Sequence, residues 1–143
     1  MCPEVTNTYT LHVIKLDGST RDKTATVTVL PDTEGPKISG LGTNEAQLDN
    51  DCVFCSLPCQ TDVYAKAVDP SGVAGVKLVY KKPGSTTWNS KAMAGVGGDS
   101  YQTTLNADKW NSGTLEFYVL AYDNRGNHSE SGHLTMEVQY CLY

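Results

Sequence analysis

Short runs of alternating apolar and polar residues, each followed by a cluster of turn-forming residues, recur along the chain. In the segment GTLEFYVLAYDN, Leu115, Phe117, Val119 and Ala121 alternate with the residues between them. A period of two is typical of a β-strand that has one buried and one solvated face. Helical spacing of apolar residues is scarce, and the alternating runs recur about every ten residues, which favours a β-sandwich or a barrel.

The part of the chain after residue 36 is predicted to contain seven strands. We place them at about 37–41, 60–68, 75–82, 86–93, 100–105, 114–122 and 133–140. In the last of these, Leu134, Met136, Val138 and Tyr140 are expected to share one face. This number and spacing of strands predicts an all-β fold, an antiparallel immunoglobulin-like sandwich.

The alternation of apolar and polar residues predicts a separate pair of strands in the first 31 residues. YTLHVIKL and RDKTATVTVL flank DGST, and Gly18 suits the positive φ of a hairpin turn. PDTEGPKI then reads as a stiff connector, so we predict a hairpin over 1–31, a linker over 32–36 and a domain over 37–143. An isolated hairpin is marginal in water, and its unpaired edges favour a homodimer through this segment.

The order of turns and apolar positions carries a family resemblance. VDPSGVAGVKLVYKKPGSTTW, then GTLEFYVLAYDNRGNHSES, resembles the immunoglobulin-like or fibronectin type III-like modules of large bacterial secreted and cell-surface proteins. DTEGPKI resembles the linkers that open such modules, and the first hairpin resembles the end of a preceding module. From about residue 8 to 141, the resemblance implies a non-catalytic extracellular or cell-surface spacer or presentation domain, structural or adhesive, whose partners are neighbouring modules. The CVFCSLPC insert departs from that pattern.

Five cysteines favour a disulfide framework. They are Cys2, Cys52, Cys55, Cys59 and Cys141, and this many cysteines in so short a chain is typical of oxidising, extracellular compartments. Cys141 follows the last predicted strand directly, so we expect it to bridge to one member of the 52–59 cluster, with the connectivity left open. The alternatives are a zinc site, for which Cys52 and Cys55 have knuckle spacing, and a redox Cys-x2-Cys, which lacks its βαβ context.

Acidic residues beside the turns raise the question of calcium. DPSG at 69–72 and DNRGN at 123–127 are turn sequences in which the Asp side chain caps its own turn. The alternative is a calcium site at the module junction with oxygen ligands from Asp32, Glu34, Asp69 and Asp123. The turn chemistry is sufficient by itself, so we expect no cofactor.

Charge and motif content argue against several function classes. A net charge of −5 without a basic cluster lacks the footprint of a nucleic-acid binder. No apolar run is long enough for membrane insertion. His12, His128 and His133 are the only histidines, and G-x-S-x-G, H-E-x-x-H and Walker motifs are absent. We therefore predict that the chain is not an enzyme.

Aromatic residues support a binding alternative. Trp88, Trp110 and several tyrosines are side chains with an apolar ring and a polar tip, which suit carbohydrate as well as protein partners. Trp110, in the loop NADKWNSG, is expected to be exposed. The alternative to a spacer is therefore a module that binds polysaccharide or a surface protein through loop aromatics, with Trp110 and Trp88 as ligand-binding residues.

Overall fold

The computed structural model describes residues 5–141. Every regular element in this range is a β-strand, and none of these residues forms a helix that could cross a membrane. The chain divides into two compact units, Met1–Asp32 and Thr33–Tyr143.

The first unit is the predicted hairpin. Strands β1 (Asn7–Ile14) and β2 (Thr20–Val27) pair antiparallel from Asn7 opposite Val27 to Ile14 opposite Thr20. The turn depends on Gly18, which has a φ of 81° that other residues rarely adopt. Asp17 accepts hydrogen bonds from the hydroxyl and backbone N–H of Ser19, and these bonds lower the pKa of Asp17.

One face of the hairpin, which we call the apolar face, carries most of its apolar side chains together with Arg21 and Lys23, and the other face is mainly polar. The register places Tyr9 opposite Ala25 and Asn7 opposite Val27, and because side chains alternate, Leu11 and Val13 share that face. The opposite face carries threonines, with Thr8 hydrogen-bonded to Thr26, and a His12–Asp22 contact. All sixteen strand residues are exposed, so the apolar face is open to solvent.

The second unit is a sandwich of two sheets. The smaller sheet has the order β3-β5-β9-β8, and the larger has β4-β12-β10-β6-β7, with β11 also paired to β10. The bounds are β3 Lys37–Thr43, β4 Gln47–Asp49, β5 Gln60–Val68, β6 Val73–Lys81, β7 Trp88–Ala92, β8 Ala94–Gly97, β9 Ser100–Asn106, β10 Gly113–Asp123, β11 His128–Glu130 and β12 Leu134–Gln139. All pairs are antiparallel except β4 with β12, which is parallel.

The core lies between the sheets and follows the predicted alternation. On β10, Leu115, Phe117, Val119 and Ala121 are buried, and they face a layer from the smaller sheet that includes Val63 on β5. Large apolar side chains on alternate positions of both sheets are what a sandwich core requires. The all-β sandwich predicted from the sequence is therefore confirmed.

Three short strands, β4, β8 and β11, were not predicted, and two of them, β4 and β8, form where the chain changes sheets. The predicted 86–93 strand is β7 of the larger sheet, after which the chain crosses at buried Met93 and continues as β8 in the smaller sheet. The glycine-rich segment GVGGD at 95–99 begins within β8 and has positive φ at Gly97 and Gly98. Strand β4 similarly leaves the smaller sheet after β3 and joins β12.

In the last strand, Leu134, Met136 and Val138 occupy alternate positions of β12, as expected for one shared face, but burial differs along it. Met136 and Val138 are buried, but Leu134 is 40% exposed and Tyr140 is 64% exposed. Leu134 is the first residue of β12 and Tyr140 follows its last. The sandwich therefore covers only the middle of this strand.

Candidate functional site

Aromatic and charged side chains meet on the outer face of the larger sheet. Alternation directs Glu116 and Tyr118 of β10 away from the core, because their neighbours Leu115 and Phe117 point into it. The register sets Lys81 of β6 between Glu116 on one side and Trp88 of β7 on the other. His133, just before β12, completes the group, which we call the Trp88 cluster: Lys81, Trp88, Glu116, Tyr118 and His133.

The three rings of the Trp88 cluster hold one another in place. Tyr118 and His133 are stacked, with ring centroids 4.5 Å apart and planes 3° from parallel. Trp88 meets Tyr118 at 5.3 Å and His133 at 5.7 Å, at angles of 69° and 72°. Edge and offset geometries of this kind are favoured by the ring quadrupoles. The indole is thus oriented from two sides, yet Trp88 remains 40% exposed.

A carboxylate with two partners organises the charges of the cluster. One oxygen of Glu116 lies 2.8 Å from Nδ1 of His133, and the other lies 3.0 Å from Nζ of Lys81. Hydrogen bonds from His133 and then from Lys81 hold the pKa of Glu116 below its usual range. The same ammonium lies 4.9 Å from the centre of the Trp88 ring, a cation–π distance. The Lys81 and Glu116 charges therefore offset each other locally.

The same face continues along β10 toward its end. Burial, followed by the negative charge of Glu130 and the nearby Tyr122, raises the pKa of Tyr118. The Tyr122 ring lies 5.8 Å from that of His128, and Nζ of Lys77 lies 5.9 Å from the Tyr122 ring centroid. Tyr118 thus keeps its hydroxyl proton at neutral pH and can both donate and accept a hydrogen bond.

The two tryptophans named from the sequence have different environments. Trp110 is half-buried against the core, stacked on Tyr80 at 5.9 Å, with the Lys82 ammonium 5.2 Å from its ring. The expectation that it is an exposed loop aromatic was therefore wrong, because its loop folds back onto the sandwich and Asn50 donates a hydrogen bond to its carbonyl. Trp88 is exposed, but it lies on a strand and not in a loop.

The cysteine cluster forms two disulfides. Cys52 is bonded to Cys59, with Cα atoms 5.1 Å apart, and Cys55 is bonded to Cys141, with Cα atoms 5.5 Å apart. Cys141 is thus joined to the cluster, while Cys2 lies outside the described residues. Asp51 has a carboxylate oxygen within 4.8 Å of both sulfurs of the Cys55–Cys141 bridge. Since zinc takes thiolates, these sulfurs are not zinc ligands while the bridge is closed.

Two of the acidic residues proposed for calcium, Asp69 and Asp123, act as turn caps. Asp69 accepts from the N–H and hydroxyl of Ser71. Asp123 accepts from the N–H groups of Arg125 and Asn127 and from the Asn127 amide.

The four carboxylates named for calcium differ in position and in burial. Carboxylate oxygens of Asp69 and Asp123 lie within 4.8 Å of one another, while Glu34 is exposed and Asp32, which ends the first unit, is half-buried. The turn chemistry accounts for the hydrogen bonds of Asp69 and Asp123.

The sequence did not single out Lys81 or Glu116 as site residues. Neither belongs to a motif, and their proximity follows from the pairing register of β6, β7 and β10. The available signal was the alternation in GTLEFYVLAYDN, which places Glu116 and Tyr118 on the face opposite the core.

Comparison with known proteins gives little further information. No protein-family model matches the chain, and no match was found among curated proteins. Among solved structures, the chain is similar to a cycloalternan-degrading enzyme from Trueperella pyogenes, at 10% sequence identity and a TM-score of 0.48. The match covers 66% of this chain and 11% of that enzyme chain.

Proposed function

We propose that the chain is a non-catalytic, extracellular spacer or presentation module of a larger secreted or surface protein, with an immunoglobulin-like or fibronectin type III-like sandwich as its second unit. The observation that carries this proposal is the Cys55–Cys141 disulfide, which spans 86 positions. It encloses eight of the ten strands of the second unit, β5 to β12, in one covalent loop.

A bridge in this position limits how far the sandwich can be stretched. When the second unit is pulled from Thr33 and Cys141, force passes from Cys55 directly to Cys141 across the disulfide. The residues between them carry no tension and cannot extend. A spacer needs to keep its length under load, and this connectivity provides that property.

The first hairpin fits the role of a neighbouring module. Its polar face suits solvent, whereas its open apolar face, with Tyr9, Leu11 and Val13, has the pattern of a strand pair taken from a sandwich. In a longer parent protein, further strands of that module would cover this face. In this proposal the Pro-containing PDTEGP segment is the connector between modules.

Single-molecule pulling tests the mechanical role. The chain is held by tags at its two ends, and the unfolded contour length is compared between the wild type and the Cys55→Ser/Cys141→Ser variant. We expect the variant to extend further by roughly 280 Å, from the 3.3–3.6 Å span of an extended residue. Cys52→Ser/Cys59→Ser is the matched control and should leave the wild-type extension nearly unchanged. Equal extension of the wild type and the first variant would contradict the proposal.

Peptide mapping tests the extracellular assignment. The protein is secreted through an oxidising pathway and digested with trypsin without reductant. Peptide 38–66 should be released joined to peptide 126–143, with a mass four hydrogens below the sum of the two, because each of the two disulfides removes two hydrogens. Recovery of both peptides separately, with Cys55 and Cys141 as free thiols, would contradict an oxidised module.

A further inference from the structure

We propose that the outer face of the larger sheet, centred on Trp88, binds a neutral carbohydrate chain. This inference is independent of the spacer role, since it depends on surface side chains and not on the disulfides. Three features of the Trp88 cluster support it: an exposed and oriented indole, hydrogen-bonding groups beside it, and balanced charge.

The indole of Trp88 is available and already oriented. Strand β7 is an edge of the larger sheet, and Trp88 begins it with 40% of its surface exposed. A pyranose ring presents a face of C–H groups, which packs on a flat apolar ring. Because Tyr118 and His133 fix the indole, stacking a sugar on it loses little side-chain freedom.

Hydrogen-bonding groups for hydroxyls lie next to the indole. The Glu116 carboxylate has two oxygens, each with more than one acceptor site, so each can accept a hydrogen bond in addition to the one from Lys81 or His133. The Lys81 ammonium has three donors. Adjacent hydroxyls of a sugar need acceptors and donors side by side, and Glu116 with Lys81 provides both at 3.0 Å separation.

The charge balance of the cluster favours a neutral ligand. Lys81 is paired with Glu116, so an anionic polymer would have to compete with a carboxylate that is already bound to the cation. A cationic ligand would have to compete with Lys81 for the Glu116 carboxylate. A neutral saccharide can bind without breaking the ion pair, so neutral glycans are the class that this surface complements.

Nuclear magnetic resonance of the full chain provides the test. The indole N–H signals of Trp88 and Trp110 are followed during titration with cellohexaose, maltohexaose, xylohexaose, mannohexaose and N-acetylchitohexaose as probes. We expect at least one probe to shift the Trp88 signal in a saturable way and to leave the Trp110 signal in place. Trp88→Ala, whose affinity is measured by calorimetric titration because it lacks the reporting indole, should weaken binding of that probe about tenfold or more, from the loss of the aromatic contact.

Control variants separate binding from folding. Tyr64→Ala removes an exposed aromatic ring from β5 of the smaller sheet and should leave binding unchanged. Glu116→Gln keeps the shape of the side chain and should weaken binding several-fold, which provides a test even if Trp88→Ala does not fold. The proposal is overturned if no probe shifts the Trp88 signal at a concentration of about 10 mM, which is about four orders of magnitude above a micromolar Kd. It is also overturned if Glu116→Gln and Tyr64→Ala have the same effect on binding.

Discussion

Cys55 and Cys141 lie 86 positions apart in the chain and are joined by a disulfide, with their Cα atoms 5.5 Å apart. The bridge ties the irregular 50–59 segment to the end of β12. Backbone hydrogen bonds strengthen the same junction, because Asn50 donates to Gln139 and its side-chain oxygen accepts from the Cys141 N–H. The long-range bridge therefore belongs to a connected corner of the sandwich.

The two disulfides are expected to differ in their effect on stability. A cross-link stabilises a fold mainly by restricting the unfolded chain, and the effect grows with the length of the closed loop. Cys55→Ser/Cys141→Ser should lower the free energy of unfolding by about 4.5 kcal/mol, and Cys52→Ser/Cys59→Ser by about 2.5 kcal/mol. Urea titrations followed by tryptophan fluorescence measure both. Equal losses would contradict this account of the bridges.

Acid should destabilise the second unit through Asp123. This side chain is 3% exposed, and burial by itself raises its pKa, but hydrogen bonds from Asn127, Arg125 and Gly126 outweigh burial and lower the pKa overall. Because the folded pKa lies below the unfolded value of about 3.9, the ionised form stabilises the fold at neutral pH. That stabilisation is lost as the pH falls from about 4 through the folded pKa.

Asp123→Asn should therefore be less stable than the wild type at pH 7 and lose less stability between about pH 5 and 2. The free energy of unfolding is measured by urea titration with tryptophan fluorescence, which reports on the second unit because both tryptophans belong to it. Asp17→Asn in the hairpin is the control and should keep the wild-type pH slope. An unchanged slope in Asp123→Asn would refute this role for its carboxylate.

Gly35 is expected to tolerate no side chain. A Cβ built there would lie 2.3 Å from the carbonyl carbon and 2.4 Å from the carbonyl oxygen of His128. Backbone atoms cannot rotate away as a side chain can, so Gly35→Ala should destabilise the second unit by about 1–3 kcal/mol. Gly75→Ala, where nothing lies within 4 Å of the added Cβ, is the control. Thermal unfolding compares the two, and similar melting temperatures would show that the 35 position relaxes freely.

The apolar face of the hairpin should make the isolated 143-residue chain self-associate. Leu11 and Val13 are exposed on that face, and both edges of a two-stranded sheet present unpaired backbone groups. Sedimentation at increasing protein concentration should detect a dimer, which Leu11→Asn/Val13→Thr weakens. Thr10→Asn, on the polar face, should have no such effect. A wild-type chain that stays monomeric over the whole concentration series would rule out this contact.

The sequence alone determined the local features of this protein. The alternation of Leu115, Phe117, Val119 and Ala121 predicts both the strand and its buried face, because a period of two is a property of the extended backbone. Asp17-Gly18 predicts the first turn for an equally local reason, since Gly accepts the positive φ that the turn needs. Seven strands and the hairpin could therefore be placed before the structure was known.

Only the tertiary structure decided how distant residues meet. The partner of Cys141 and the neighbours of Trp88 depend on which strands pair and in which register, and a shift of one residue would send each side chain to the other face. The same applies to Met93, where the chain changes sheets, and to Trp110, whose loop folds onto the core. The alternation of apolar and polar residues indicates which side chains are buried, whereas the packing of the two sheets decides which residues they contact.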